Sequence, residues 1–347
     1  MGLNIRDIIP RREIEIEGLK DKTLCVDAFN TLYQFLSTIR QMDGTPLMDN
    51  QERITSHLSG IFYRNASLIS EGAKLIYVFD GKPPALKYKI HQKRGEAREL
   101  ASERYELAKK EEDIETMRRY SSQLVRLNNE MISESKELLE AMGIAVIQAP
   151  GEGEAEAAYL CKVNNEIYAS VSQDYDSLLF GAPKLIRNLT VSRKKKTSTG
   201  SYIEIRPEII EIEKVLNYLE INLEQLICLG ILVGTDYNPK GIPRIGQKKA
   251  LEIVKRYKQP ILIFESMKEQ IESLPEEDRF DWQEIFHLFH KPDVLDFEIN
   301  FPKLDEDKIK EILIERHNFS EERIGNTLQK LKDSSEKNKQ KNLNKWF

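Results

Sequence analysis

The chain has 347 residues, with 52 Lys and Arg against 57 Asp and Glu for a net charge of −5; it is 40% hydrophobic and 31% charged. That length buries a sizeable core without a disulfide or zinc staple, and the charged share describes a soluble globular protein with a strongly hydrated surface. No apolar run reaches the roughly 18–20 residues of a membrane span, Met1–Asp7 lacks the apolar core of a signal peptide, and Cys25, Cys161 and Cys228 stand far apart in apolar contexts, as expected of reduced thiols in an intracellular protein.

Four short β-prone runs appear in the first half: Thr23–Val26, Leu75–Phe79, Ile144–Ile147 and Ile167–Val171. Turn signals bound each run and helical pattern separates them. That pattern predicts an α/β fold with a mostly parallel central sheet flanked by helices. Each run ends at acids: Asp27, then Asp80, then Glu152 and Glu154, then Asp174 and Asp176. In open α/β sheets the C-terminal edge is where sites form.

Between the second and third runs, residues 87–126 carry eleven Lys or Arg and eight Asp or Glu, with no Pro and one Gly. This reads as one or two long solvated helices inserted into the α/β core. Lys87, Lys89, Lys93 and Arg94 follow Asp80 closely enough to reach a phosphate held there; the later charges read as a solvated face. Arg193, Lys194, Lys195 and Lys196 open a basic, turn-rich tip over 193–201, between the β-prone Leu185–Ile186 and Tyr202–Ile205. That tip either touches phosphate or keeps a hairpin soluble.

From about residue 208 to 330 the pattern is mostly helical. Within it, Gly241-Ile242-Pro243-Arg244-Ile245-Gly246-Gln247-Lys248-Lys249 resembles a helix-hairpin-helix. There Gly241 and Gly246 let a tight hairpin approach a backbone, and the following helix offers free N–H groups to a phosphate. Lys248 and Lys249 add attraction that is independent of sequence. Lys332–Lys341 is polar and charged and is expected to be disordered. The organisation expected is one domain over 1–330, made of 1–86, an inserted helical segment 87–130, 131–236 with the basic hairpin, and 237–330, followed by a tail 331–347.

Asp236, in Val233-Gly234-Thr235-Asp236-Tyr237, is a seventh acid of the same kind. Taken singly, an Asp after a strand caps a helix or makes a turn. Seven on one edge repel one another strongly unless cations join them. Hard oxygen ligands suit two Mg²⁺ ions, with Mn²⁺ as substitute. Such a pair activates a water and stabilises the leaving oxygen of a phosphodiester. Glu156 is one carboxylate more than this needs, and serves either the helix N-terminus or the surroundings of the centre.

These motifs together resemble flap endonucleases, the structure-specific 5′ nucleases of DNA replication and repair. The resemblance runs from Met1 to Phe347 and rests on Val26-Asp27-Ala28, Val78-Phe79-Asp80-Gly81-Lys82-Pro83-Pro84, Ala149-Pro150-Gly151-Glu152-Gly153-Glu154-Ala155, Ser172-Gln173-Asp174-Tyr175-Asp176 and Gly234-Thr235-Asp236-Tyr237. It implies a PIN-like nuclease core with a helical arch. The seven acids then fall on metal positions, Lys87 and Arg94 on the catalytic basic positions at the arch base, and Tyr33 on an aromatic that stacks near the reacting nucleotide. Arg40 and Thr55 fall near a pocket for a one-nucleotide 3′ flap, and Gly2 on an N-terminal glycine near the active site. Gln340, Leu343, Trp346 and Phe347 resemble a box that binds a sliding clamp of the PCNA type, with Trp346 a departure from the usual aromatic. A chain ending at that box resembles archaeal members. Expected partners are branched DNA (5′ flaps, double flaps, nicked duplex) and the clamp, with no membrane, for a monomer.

Overall fold

The computed structural model describes residues 3–41, 44–87, 126–191, 194–196 and 202–343, with scattered positions between 100 and 124. The strands are β1 (Arg12–Glu13), β2 (Thr23–Asp27), β3 (Lys74–Phe79), β4 (Ala145–Gln148), β5 (Ile167–Val171), β6 (Lys184–Arg187), β7 (Lys194–Lys196), β8 (Tyr202–Glu204) and β9 (Glu208–Glu211). Seven of them form one sheet in the order β1-β9-β6-β5-β2-β3-β4, and β7 and β8 form a separate hairpin. The pairs β3–β4, β2–β3, β2–β5 and β5–β6 are parallel, while β9 runs antiparallel to β6 and β1. All four expected runs are therefore strands of one mostly parallel sheet.

Residue period sorts this sheet onto two cores. Leu24, Val26, Leu75, Tyr77, Phe79, Ala169 and Val171 join one apolar cluster, and Cys25, Ile76, Val78, Ala145 and Ile147 join another. Alternate residues of a strand point to opposite faces, so a strand buried on both sides reads as a continuous apolar run. The first cluster is covered by α1 (Ala28–Thr38), α2 (Ser56–Ser70) and α3 (Asn129–Ala141); the second by α4 (Gly153–Val163). A third cluster binds α5 (Asp176–Leu179), α6 (Ile212–Leu219), α7 (Leu223–Val233) and α8 (Gln247–Tyr257) to Leu3, Ile5, Ile8 and Ile9 of the N-terminal segment. All three cysteines are buried and free. No single helix among the described residues is long and apolar enough to cross a membrane.

Three expectations need correction. Residues 208–211 form a strand, not the start of a helical region, because Ile209 and Ile210 complete the sheet beside Leu185 and Ile186. Lys194–Lys196 lie in β7, paired with Tyr202–Glu204, so the basic run is the arm of a hairpin and Leu185–Ile186 belong to the main sheet instead. The last helix runs Glu321–Leu343, where disorder was expected from residue 331. Ile324, Leu328 and Leu331 are 0–4% exposed and anchor it to the first core. Once packing has nucleated a helix, Lys, Glu and Gln continue it at little cost.

His317 ties the C-terminal part to the front of the fold. Its Nδ1 lies 2.9 Å from Asp49 Oδ2 and its Nε2 2.9 Å from Glu134 Oε1, with the ring 1% exposed. Burial alone would raise the Asp49 carboxyl. The Arg53 amide, the His317 ring, the Gln51 amide and the Arg53 guanidinium instead hold it down to about 2. Removing the ring leaves two carboxylates facing each other in the interior. His317→Ala should therefore lower the unfolding free energy by about 2 kcal/mol, as leaving buried polar groups without their hydrogen-bond partner does, measured by denaturant unfolding. A loss below about 1 kcal/mol, the range of a surface pair, would contradict this.

Candidate metal centre and active site

The C-terminal ends of the parallel strands bring the acids to one place. Asp27 closes β2, and its Oδ1 caps α1 by accepting the Asn30 amide at 3.0 Å. Its Oδ2 lies 3.4 Å from the Ser172 hydroxyl. Asp80 follows β3, and its Oδ1 accepts the Gly153 amide at 2.6 Å. A Cβ on Gly153 would stand 2.8 Å from that oxygen, so only glycine allows this approach. Glu152 precedes α4 and Glu154 lies in its first turn, where Glu154 Oε1 accepts the Ser177 amide at 2.9 Å and hydroxyl at 2.5 Å. Asp174 comes from the turn after β5, and Asp176 opens α5. Asp236, after α7, donates its amide to Asp176 Oδ2 at 3.2 Å.

Asp27, Asp80, Glu152, Glu154, Asp174 and Asp236 line one cavity of about 530 Å³, together with Phe29, Asn30, Tyr33, Gly81, Pro83, Lys87 and Gly151. Asp176 lies behind it, 3% exposed. One oxygen from each of Asp174, Asp176 and Asp236 lies within 4.8 Å of the others, and Asp176 Oδ1 is buried with no hydrogen-bond partner among the described residues. An all-oxygen donor set with an unsatisfied buried acceptor fits a hard divalent cation. Burial pushes Asp27 up to about 7, with the Asp80 charge adding to it. Burial also raises Asp80, Glu154, Asp174 and Asp176, and neighbouring acids add to it in each case.

Lys87 is the cation among these lining residues. Its Nζ pairs with Glu152 Oε1 and lies 3.9 Å from Asp236 Oδ2. Burial would lower this ammonium, yet Glu152 and Asp236 hold it above its usual range. The Tyr237 hydroxyl donates to the other oxygen of Glu152. Tyr33 is 38% exposed at the cavity wall.

The remaining expected residues sit elsewhere. Arg40 is partly buried and donates to Ser37 O at 3.1 Å and Gly44 O at 2.8 Å; Thr55 is 3% exposed. Lys248 and Lys249 are exposed on the first turn of α8, which Gly246 precedes. Gly241 has φ +55°, and a Cβ there would collide with Val233 O, so the turn requires glycine. Gly246 has open space around its missing side chain. Gly2, Lys89, Lys93, Arg94, Arg193, Trp346 and Phe347 lie outside the described residues, as do the side chains of Lys194–Lys196, Gln340 and Leu343. Glu156 does not line the cavity: its Oε2 accepts the Leu295 amide at 3.1 Å, and burial pushes its carboxyl up to about 7. Sequence reasoning missed Tyr237, Ser172, Ser177 and Asn30. Each is within three residues of an acid, which was the available signal.

Residues 4–101 match the XPG N-terminal domain family and residues 143–236 the XPG I-region family. Flap endonuclease 1 of Thermococcus onnurineus is 51% identical, covering 100% of this chain and 99% of that protein. The chain belongs to the flap endonuclease family. Flap endonuclease 1 of Pyrococcus furiosus is 49% identical over the same spans. Among solved members of the family, flap endonuclease-1 from Methanococcus jannaschii superposes with a TM-score of 0.73 at 34% identity, over 96% of this chain and 98% of that one. The catalytic core of Rad2 in complex with a DNA substrate, 24% identical, shares the fold with a TM-score of 0.68 over 95% of this chain and 100% of that one.

Because burial and mutual repulsion shift these carboxyls toward their protonated forms, cation binding should release protons. The Asp27 carboxyl is neutral below about 7 and ionised above it. The Mg²⁺ midpoint should therefore fall as pH rises from 6 to 8, and calorimetry in buffers of different ionisation enthalpy should show protons released on binding. A midpoint independent of pH would contradict the electrostatics described.

Proposed function

We propose that the chain is a structure-specific 5′ flap endonuclease with associated 5′–3′ exonuclease activity. It hydrolyses the phosphodiester at the base of 5′ DNA flaps, leaving a 5′-phosphate and a 3′-hydroxyl, in Okazaki-fragment maturation and base excision repair. The observation that carries this reading is the convergence of carboxylates on one cavity at the sheet edge, in a chain half identical over its full length to flap endonucleases.

Asp27, Asp80, Glu152, Glu154, Asp174, Asp176 and Asp236 would hold two Mg²⁺ ions, with Mn²⁺ substituting. Bound there, such ions supply Lewis-acid activation of water and neutralise charge on the phosphodiester. The chain's own residues do the rest. Lys87, held protonated among the acids, and Arg94 stabilise the charge that develops on the scissile phosphate, as preorganised cations do. Tyr33, exposed on the cavity wall, stacks on the nucleotide beside the cut. Gly246, Lys248 and Lys249 grip the duplex by its phosphates, so shape is recognised and not base sequence. The segment 87–130, most of which lies outside the described residues, would serve as the arch that admits a single 5′ strand. The C-terminal residues Gln340, Leu343, Trp346 and Phe347 engage a PCNA-type sliding clamp, and the enzyme works as a monomer.

The test separates chemistry from binding. Asp176→Ala should leave affinity for a double-flap DNA within a few-fold of wild type while single-turnover cleavage falls by at least about a hundredfold, the scale of losing electrostatic stabilisation at a transition state. Cleavage within tenfold of wild type would remove Asp176 from the metal centre.

A further inference from the structure

The β3–β4 ladder ends at the pair Phe79–Gln148, after which the Ala149 amide donates to Phe79 O at 2.9 Å. Beyond it, Gly81 donates to Gly151 O at 2.6 Å and Lys82 to Pro150 O at 3.0 Å. No described backbone amide reaches the carbonyl of Asp80, which lies between these bonds. The side chain of Gln148 does, donating from Nε2 at 2.6 Å. A side-chain amide thus continues the ladder where the main chain leaves a gap.

The orientation of that amide is itself fixed. Lys136, on α3, donates from Nζ to Gln148 Oε1 at 2.6 Å, and its ammonium stands 4.9 Å from the centre of the Phe79 ring. An ammonium offers only donors, so the amide oxygen must face Lys136 and the NH₂ group must face Asp80. Asp80 is then held at both ends, its carbonyl by Gln148 and its carboxylate by the Gly153 amide.

We infer that Gln148, oriented by Lys136, is a positioning residue for the metal centre: it fixes the Asp80 peptide and so the aim of the Asp80 carboxylate into the cavity. This rests on the reading of the cavity as a cation centre. Neither residue lines the cavity, so both act through Asp80. Gln148 is exposed, and its replacement opens no void in the core.

Gln148→Met keeps the side-chain length and removes both hydrogen-bonding groups; Lys136→Met leaves the amide free to rotate. Each variant, the double variant and wild type would be titrated with Mg²⁺ by calorimetry, without DNA, and in single-turnover flap cleavage. Gln148→Met should raise the Mg²⁺ midpoint about fivefold, the scale of one lost hydrogen bond acting on a ligand's position. Cleavage at saturating Mg²⁺, affinity for flap DNA and the thermal midpoint should stay close to wild type.

Lys136→Met should also weaken Mg²⁺ binding, by about two- to threefold on the same scale. Simple electrostatics predicts the opposite sign, since removing a positive charge favours a cation. The double variant should be no worse than Gln148→Met alone, because Lys136 acts through Gln148. Variants that titrate like wild type, or a Lys136→Met protein that binds Mg²⁺ more tightly, would overturn the inference while leaving the nuclease reading intact. A wild-type protein that neither binds Mg²⁺ nor cuts a flap would overturn both.

Discussion

The constraint on which the rest depends is the repulsion among carboxylates buried at one sheet edge. Burial and mutual repulsion raise Asp27, Asp80, Glu154, Asp174 and Asp176 together. Such an arrangement costs stability and persists only where the fold over-determines it. Here it does so with short-range donors. The Asn30, Gly153 and Ser177 amides each hold one acid, and the Asp236 amide holds another. Lys87 supplies a positive charge inside the cluster. On the reading proposed above, a divalent cation would supply the missing positive charge, so folding and catalysis would make the same demand on this edge.

The parallel sheet is what gathers these groups. β2, β3, β4 and β5 all point the same way, so their C-terminal ends deliver Asp27, Asp80, Glu152 and Asp174 to one side without long excursions. The glycines at 81 and 153 let neighbouring strand ends approach closer than any side chain permits. Asp236 arrives from the turn after α7, which leads directly into the hairpin before α8. The proposed chemical centre and the proposed duplex grip are thus joined by one short turn. Lys248 and Lys249 are exposed and do not line the acidic cavity, so the proposed phosphate grip is separate from the carboxylate cluster.

Much of this was legible in the residues. Four apolar runs ending in acids marked the strands and the edge where the acids meet, because a fully buried strand and a strand-end acid both leave local marks. Other parts left weaker marks. β1 is two residues long and β9 leads straight into α6 with no turn residue between them, so neither shows an alternation to read. Glu156 carries the same sequence signature as Glu154, two residues away on the same helix, yet it turns to the Leu295 amide while Glu154 faces the cavity. Two residues apart on a helix, the two side chains point to opposite sides, and the Leu295 amide lies on the side of Glu156. The helix over 321–343 was mistaken for a tail beyond residue 330, because polar composition describes both a solvated helix and a disordered chain.

On the proposed reading, this cavity hydrolyses DNA at a flap junction with the help of divalent cations. The most direct test is incubation of the purified protein with a 5′-labelled double-flap DNA, with and without Mg²⁺, and mapping of the cut to one nucleotide. A Mg²⁺-dependent cut one nucleotide inside the junction is expected. Intact DNA, bound tightly and independently of Mg²⁺, would contradict it and leave the carboxylates without a chemical role.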